Sequence, residues 1–416
     1  MKLMVYSHDT YGLGNIRRML AICDRLLATV PNLSVLLVSG APMLHSFRMT
    51  PGLDYIKLPC LRRDESGALA VTYLDTEMEA TVRWRSESIR AAAENFKPDL
   101  LLVDKKPHGL QGELHPTLDW LERHSPATKL VLLLRDILYS PAKTVQEWSE
   151  HGYLPTLERR FDAIWVVGDP TVFDLRREYS LPTTVATKVQ FCGYLRKPRS
   201  TTPATAIRES LRIAPHNQLV LVTPGGGQDG FHVVSAYLDS LRYFPDRDRI
   251  KSLIVSGPDM PAAQRHRLQS RARTLPGVIL HEFTDDLMGY MAAADAVVSM
   301  AGYNTTCEIL SLGKRAVMVP RVKPVLEQLI RADCLARLSL VEAIHPHRLT
   351  PVMLAHKLLK QLTATEPLRV DDAIDLNGLE RLGDRLQALF PKNAIPQRVK
   401  PTFSAPAPPF ATALSA

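Results

Sequence analysis

The feature that most constrains this chain is a series of short, unbroken apolar runs, each closed by a turn and separated from the next by helical periodicity. They occupy 2–7, 34–39, 54–58, 99–103, 129–134, 163–167 and 188–192, then 218–223, 252–256, 277–281, 295–299 and 315–319. Continuous rather than alternating hydrophobicity in strand-length segments means burial on both faces, as in a parallel sheet covered by helices. The expected class is therefore α/β, and 416 residues exceed one ordinary core. Two Rossmann-like doubly wound domains facing across a cleft satisfy both conditions. The rhythm breaks at Gly193-Tyr-Leu-Arg-Lys-Pro-Arg-Ser-Thr-Thr-Pro203, so residues 1–192 are expected to form one domain, 193–203 a linker and 204–370 a second domain. Residues 371–390 read as a helix able to pack back on the first domain. The Pro-rich stretch 391–416 lacks periodic apolar residues and is expected to be a disordered tail.

Composition is that of a packed globular protein, with 45% hydrophobic and 23% charged residues. The net charge of +8 comes with Arg17-Arg18, Leu61-Arg62-Arg63 and Arg83-Trp84-Arg85, clusters suited to water or to an anionic membrane surface. No nucleic-acid-binding pattern accompanies them. The five cysteines are widely spaced without a Cys-x-x-Cys pair, which points to a reducing compartment. The first strand begins at Lys2, so no cleavable leader is expected, and no run of about 18 apolar residues occurs. A cytoplasmic protein is expected, with peripheral attachment to the inner face of the membrane as a further option.

Two strand ends in the second half are built for an anion. The strand at 296–298 runs into Ser299-Met-Ala-Gly-Tyr-Asn-Thr-Thr-Cys-Glu308, a small-residue turn with a helix opening behind it. The strand at 218–223 runs into Pro224-Gly-Gly-Gly-Gln-Asp-Gly230, with a helical pattern from Phe231. Free backbone N–H groups at a helix start attract phosphate, and two such turns suit a diphosphate. The first strand ends in Ser7-His-Asp-Thr-Tyr-Gly-Leu-Gly-Asn15. Its Gly12-x-Gly14 is not a dinucleotide fingerprint, because Arg17 stands where a third small residue is needed. The loop instead offers close backbone approach and the polar trio His8, Asp9 and Asn15 to an acceptor.

These residues resemble the GT-B fold glycosyltransferases of the family 28 type, which include peptidoglycan-precursor N-acetylglucosaminyltransferases and galactolipid synthases. The resemblance is strongest over about 215–335 and weaker in the glycine loop at 8–18. Gly225, Gly226, Gly227 and Gln228 take the place of the family's donor-contacting glycine turn. Phe283, Thr284 and Leu287 resemble the segment whose backbone reads uracil. Ala301, Gly302, Tyr303, Asn304, Thr305, Thr306 and Glu308 have the spacing of the turn that cradles the diphosphate and ends in a ribose-binding Glu. Glu327 and Gln328 match a Gln-Gln pair that holds the donor sugar.

The resemblance implies inverting transfer of a hexose or N-acetylhexosamine from a UDP-sugar to an acceptor hydroxyl, in envelope polysaccharide or glycolipid synthesis. A helix dipole and the N–H groups of Thr305 and Thr306 can stabilise a departing diphosphate without a metal, so no metal or other cofactor is expected. Asp285-Asp286 reads as a helix cap, not a cation site. Relatives carry His where Asn15 stands, and an amide is no base at neutral pH. Asp9 is then the preferred base and His8 the second choice. Gly12, Gly14, Asp104, His108, Arg135 and Asp136 follow or close strands of the first domain and are expected to face an acceptor across the same cleft, whether glycan, lipid-linked sugar or small molecule. Loss of the His leaves two competing readings: a non-catalytic sugar-nucleotide sensor or assembly partner, and a UDP-sugar epimerase of the same fold.

Overall fold

The structure, a computed structural model, describes residues 1–8, 14–63 and 69–390. The first domain contains β1 (Lys2–Ser7), β2 (Ser34–Ser39), β3 (Leu53–Lys57), β4 (Leu61–Arg63), β5 (Leu69–Val71), β6 (Leu100–Asp104), β7 (Lys129–Arg135), β8 (Ala163–Val167) and β9 (Val189–Phe191). Seven of these form a sheet in the order β3-β2-β1-β6-β7-β8-β9, parallel throughout. Every residue of β6 and β8 is buried, as their unbroken apolar sequences require. β4 and β5 form a separate antiparallel hairpin. Its three-residue strands are too short to register as periodicity.

The second domain contains β10 (Gln218–Thr223), β11 (Ile250–Val255), β12 (Val278–His281), β13 (Ala296–Ser299), β14 (Arg315–Met318) and β15 (Glu342–Ala343). They form a parallel sheet in the order β12-β11-β10-β13-β14-β15. The strand order reverses direction between β10 and β13, which is where ligands of open α/β sheets bind. β15, only two residues long, was not expected.

One apolar cluster runs from the first sheet through the inner layer of the second domain, including Val297, Ile309 and Leu335. A second cluster fills the outer layer, under the helices Phe231–Ser240 and Pro351–Thr363. The domains therefore share an apolar interface and are not merely tethered. The segment expected as one helix at 371–390 is broken into Val370–Ala373 and Gly378–Ala388. Between them the chain passes beside the linker, where Tyr194 N–H donates to Asp375 O and Gly378 N–H donates to Tyr194 O. The second helix packs on the first-domain helix Gly14–Thr29, with Glu380 paired to Arg25 at 3.2 Å. Among the described residues, no helix is long and apolar enough to cross a membrane.

Candidate functional site

A cleft of about 320 Å³ lies between the carboxyl ends of the two sheets. From the first domain it is lined by Gly14, Asn15, Arg17, Arg18 and Arg135. The second domain supplies the glycine turn 225–228, Phe283, Thr284, Leu287, Gly302, Tyr303, Asn304, Thr305, Glu308, Glu327 and Gln328. Ala301 and Thr306 are fully buried behind this wall. They shape the turn and do not line the cleft.

The glycine turn is shaped by backbone packing against the loop after β11. Gly227 has φ +94° and Gly257 φ +90°; a Cβ on Gly227 would overlap the carbonyl oxygen of Ser256, and one on Gly257 that of Gly226. Both positions therefore need glycine, for space and for the left-handed backbone. The same contact brings Asp259 into the cleft, its N–H bonded to Gly226 O at 2.8 Å. Burial raises its carboxyl above the ordinary aspartate value. Asp259 escaped the sequence reading: it lies just past the end of β11, but its place in the cleft comes from its contact with Gly226.

Behind β13 the helix Tyr303–Ser311 opens at Gly302, which is extended and provides no side-chain cap. The first-turn N–H groups precede the first intrahelical bond, Thr306 N–H to Gly302 O at 2.8 Å, and remain available to an anion. Glu308 follows one turn later. It is only 6% exposed, and its Oε2 has no hydrogen-bond partner among the described residues. Burial pushes its carboxyl above the ordinary glutamate value, with Lys197 and Arg17 pulling partly against that. A buried acceptor without a donor is costly, and a ligand hydroxyl relieves it.

Several expected ligand residues are committed elsewhere. Glu327 pairs with Arg135 across the domains at 2.9 Å and lies 3.7 Å from Arg321. Gln328 Oε1 accepts from Arg321 N–H at 3.1 Å. Tyr303 donates its hydroxyl to Val167 O at 2.8 Å, and Asn304 Nδ2 donates to Gly14 O at 2.9 Å, so both bridge the domains while lining the cleft. Arg321, missed by the sequence reading, also lines the cleft; its Nε has no partner among the described residues.

The acceptor assignments need the most correction. Arg135 and Gly14 do line the cleft. Asp104 does not: it is buried under Arg18, at 2.9 and 3.1 Å from Nη2. Asp136 is likewise enclosed, held by Arg331 and by the Tyr194 hydroxyl at 2.9 Å. These carboxylates end strands that face the cleft, but their charge is consumed by arginines that come in from helices. His108 sits apart, bonded to Thr156 Oγ1 at 2.8 Å and packed against His115 and Tyr153. Burial and neighbouring His115 push it down to about 4, so it is neutral near pH 7.

Of the catalytic candidates, Asp9 lies outside the described residues, as does Gly12. His8 is buried, outside the cleft lining. Asn15 lines the cleft, but Nδ2 donates to His8 O at 2.8 Å and Oδ1 accepts from Arg18 at 3.2 Å. Its amide thus braces the loop. Asp286 caps the helix Leu287–Ala293, accepting from Gly289 N–H at 2.8 Å. Among the described residues, no group of three or more His, Cys, Asp or Glu is placed to hold a metal ion.

Residues 219–381 match the model of the glycosyltransferase family 28 C-terminal domain. That match lies within the second half of the chain, and the two parallel α/β sheets have the GT-B fold. One curated relative is the UDP-N-acetylglucosamine--N-acetylmuramyl-(pentapeptide) pyrophosphoryl-undecaprenol N-acetylglucosamine transferase of Histophilus somni. It is 29% identical over 140 residues, a match covering 33% of this chain and 38% of the relative. The chain thus spans less than half the length of that relative. Among solved structures, Acinetobacter baumannii MurG superposes with a TM-score of 0.61 at 13% identity, covering 93% of this chain and 99% of the other. The UDP-GlcNAc 2-epimerase of Neisseria meningitidis, bound to UDP-GlcNAc, superposes with a TM-score of 0.56 at 13% identity, covering 93% and 100%. At these identities the two structures speak to the fold.

Proposed function

We propose that this family 28-type protein is an inverting, metal-independent glycosyltransferase that moves a hexose or N-acetylhexosamine from a UDP-sugar to an acceptor hydroxyl presented by the first domain. The observation that carries the reading is Glu308: a buried carboxylate with an unpartnered oxygen, one turn into the helix whose open end faces the cleft. A ribose diol supplies the donors it lacks, while the diphosphate takes the N–H groups of the first turn and of the glycine turn. As the glycosidic bond breaks, charge grows on the leaving diphosphate. The helix dipole, those N–H groups and Arg321 then stabilise the transition state more than the ground state. Asp9 remains the candidate base. The acceptor in the relative's name supports a lipid-linked acceptor here, and with it an anionic membrane surface as the place of work.

Calorimetric titration with UDP, followed by UDP-N-acetylglucosamine, UDP-glucose and UDP-galactose, tests the donor. Binding with slow UDP release supports the transferase; no binding of any uridine nucleotide sinks the assignment. A second reading, a non-catalytic sugar-nucleotide sensor, draws on the Asn15 amide, which is occupied on both sides. Tight binding of a donor that stays intact with every acceptor offered would favour it.

A further inference from the structure

Arg331 stands outside the cleft, yet it joins three parts of the site. Its fully buried guanidinium holds Asp136 of the first domain with two nitrogens, Nε to Oδ2 at 2.6 Å and Nη2 to Oδ1 at 2.7 Å. Nη1 donates to the carbonyl oxygen of Ala301 at 2.9 Å. The Tyr303 ring lies 5.7 Å from the guanidinium carbon. Arg331 also lies one turn beyond Glu327 on the helix Glu327–Arg337.

Ala301 is the residue on which this arrangement acts. Its φ of +59° is in the left-handed region that a residue with a Cβ seldom adopts, and it immediately precedes Gly302, where the helix opens. Such a conformation persists when its surroundings hold it. The bond from Arg331 grips the Ala301 carbonyl from behind the cleft, and Asp136 fixes the plane of the guanidinium that makes it. A planar fork can make all three bonds at once, which an ammonium cannot do in the same geometry.

We propose that Arg331, anchored by Asp136, is a positioning residue that holds the Ala301–Gly302 turn in its anion-receiving shape, so that the seating of the first domain is felt as affinity for the donor's diphosphate. The proposal rests on the reading of the cleft as a UDP-sugar site. Neither Asp136 nor Arg331 lines the cleft, so they act on a ligand only through the turn or through the helix that carries Glu327 and Gln328. Those two are read as holding the donor sugar, which UDP and uridine lack, so these two ligands report on the turn.

The test compares UDP, titrated by calorimetry, with uridine, titrated by ligand-observed NMR, on the full chain and on Arg331→Lys, Asp136→Asn and Arg331→Lys combined with Ala301→Gly. Both single variants are expected to bind UDP about tenfold more weakly, the loss of one charge-assisted hydrogen bond, while uridine binding is unchanged. Glycine accepts the left-handed conformation without a Cβ, so the double variant is expected to recover part of the UDP affinity. Equal losses for UDP and uridine would mean general damage and overturn the proposal. So would unchanged UDP binding in a folded variant, or a loss that Ala301→Gly leaves uncorrected. Failure of the unaltered protein to bind UDP is a separate result: it removes the functional reading and this inference with it. Asp136→Asn conserves shape and keeps the test open if Arg331→Lys does not fold.

Discussion

Arg135 of the first domain and Glu327 of the second meet across the cleft with Nη2 and Oε2 2.9 Å apart. Next to them is a pair of opposite polarity, Asp136 with Arg331, one residue along the chain and one helical turn along the partner helix. Two reversed charge pairs fix the helix carrying Glu327 and Gln328 in register with the end of β7. Lys105 adjoins this group, and burial together with the Arg135 charge pushes it down to about 8.

The Glu327 carboxyl should make stability depend on acid. Burial acts to raise its pKa, but Arg135, Arg331, Lys105 and Arg321 together hold it below the ordinary value. A depressed folded value stabilises the fold above the unfolded pKa, and that stabilisation is lost as pH falls through the folded one. Melting of the native chain and of Glu327→Gln should therefore differ most near neutrality, and the difference should shrink once pH falls below the ordinary glutamate value and through the lower folded one. A difference independent of pH would contradict the pairing.

Glu308 predicts the opposite sign. Its raised pKa means the buried charge destabilises the fold as pH rises above the ordinary glutamate value. Glu308→Gln should melt higher than the native chain at pH 7, by on the order of 1 kcal/mol in stability. The same variant should bind UDP about tenfold more weakly, because an amide is a poorer acceptor for the ribose hydroxyls. Calorimetry and melting on one preparation check both halves, and unchanged UDP affinity would remove Glu308 from the site.

The glycine turn offers a test in the backbone. Gly227→Ala places a Cβ on the Ser256 carbonyl and demands φ of +94° from alanine. The expected outcome is a loss of roughly 2 to 4 kcal/mol in stability, with UDP binding lost in whatever remains folded. Gly225→Ala has no neighbour within 4 Å and only the strain of φ +80° to bear, so it should be the milder change.

How far the sequence could be read follows from the range of the interactions. The parallel strands show in runs such as Leu100–Val103 because burial on both faces leaves a local mark. The glycine turn, the 283–287 segment and the turn at 302–308 are local too, and they line the cleft together. Asp104 and Asp136 could not be read this way. Each stands at a strand end where a ligand residue belongs, and each is neutralised by an arginine, Arg18 or Arg331, distant in sequence. Asp259 was overlooked for a related reason: its place in the cleft depends on packing against Gly226 from a neighbouring strand end.

Arg83 and Arg85 flank one tryptophan and should separate membrane binding from folding. Trp84 is 52% exposed, Arg83 is exposed beside it, and Tyr73 is 72% exposed on the same domain. Arg85 points inward, with Nε 2.6 Å and Nη2 2.7 Å from the two oxygens of Glu113, and Tyr6 donates to the same carboxylate at 2.5 Å. Its charge is therefore unavailable to lipid, contrary to the expectation that the whole Arg-Trp-Arg cluster could rest on a membrane. Arg83→Ala and Trp84→Ala should reduce sedimentation with vesicles containing anionic lipid, most clearly at low salt, without moving the melting temperature. Arg85→Ala strands a buried carboxylate and should cost about 3 to 5 kcal/mol in stability. Vesicle binding that survives both exposed substitutions would rule out this face as the membrane contact, and a native-like melt for Arg85→Ala would contradict the buried pair.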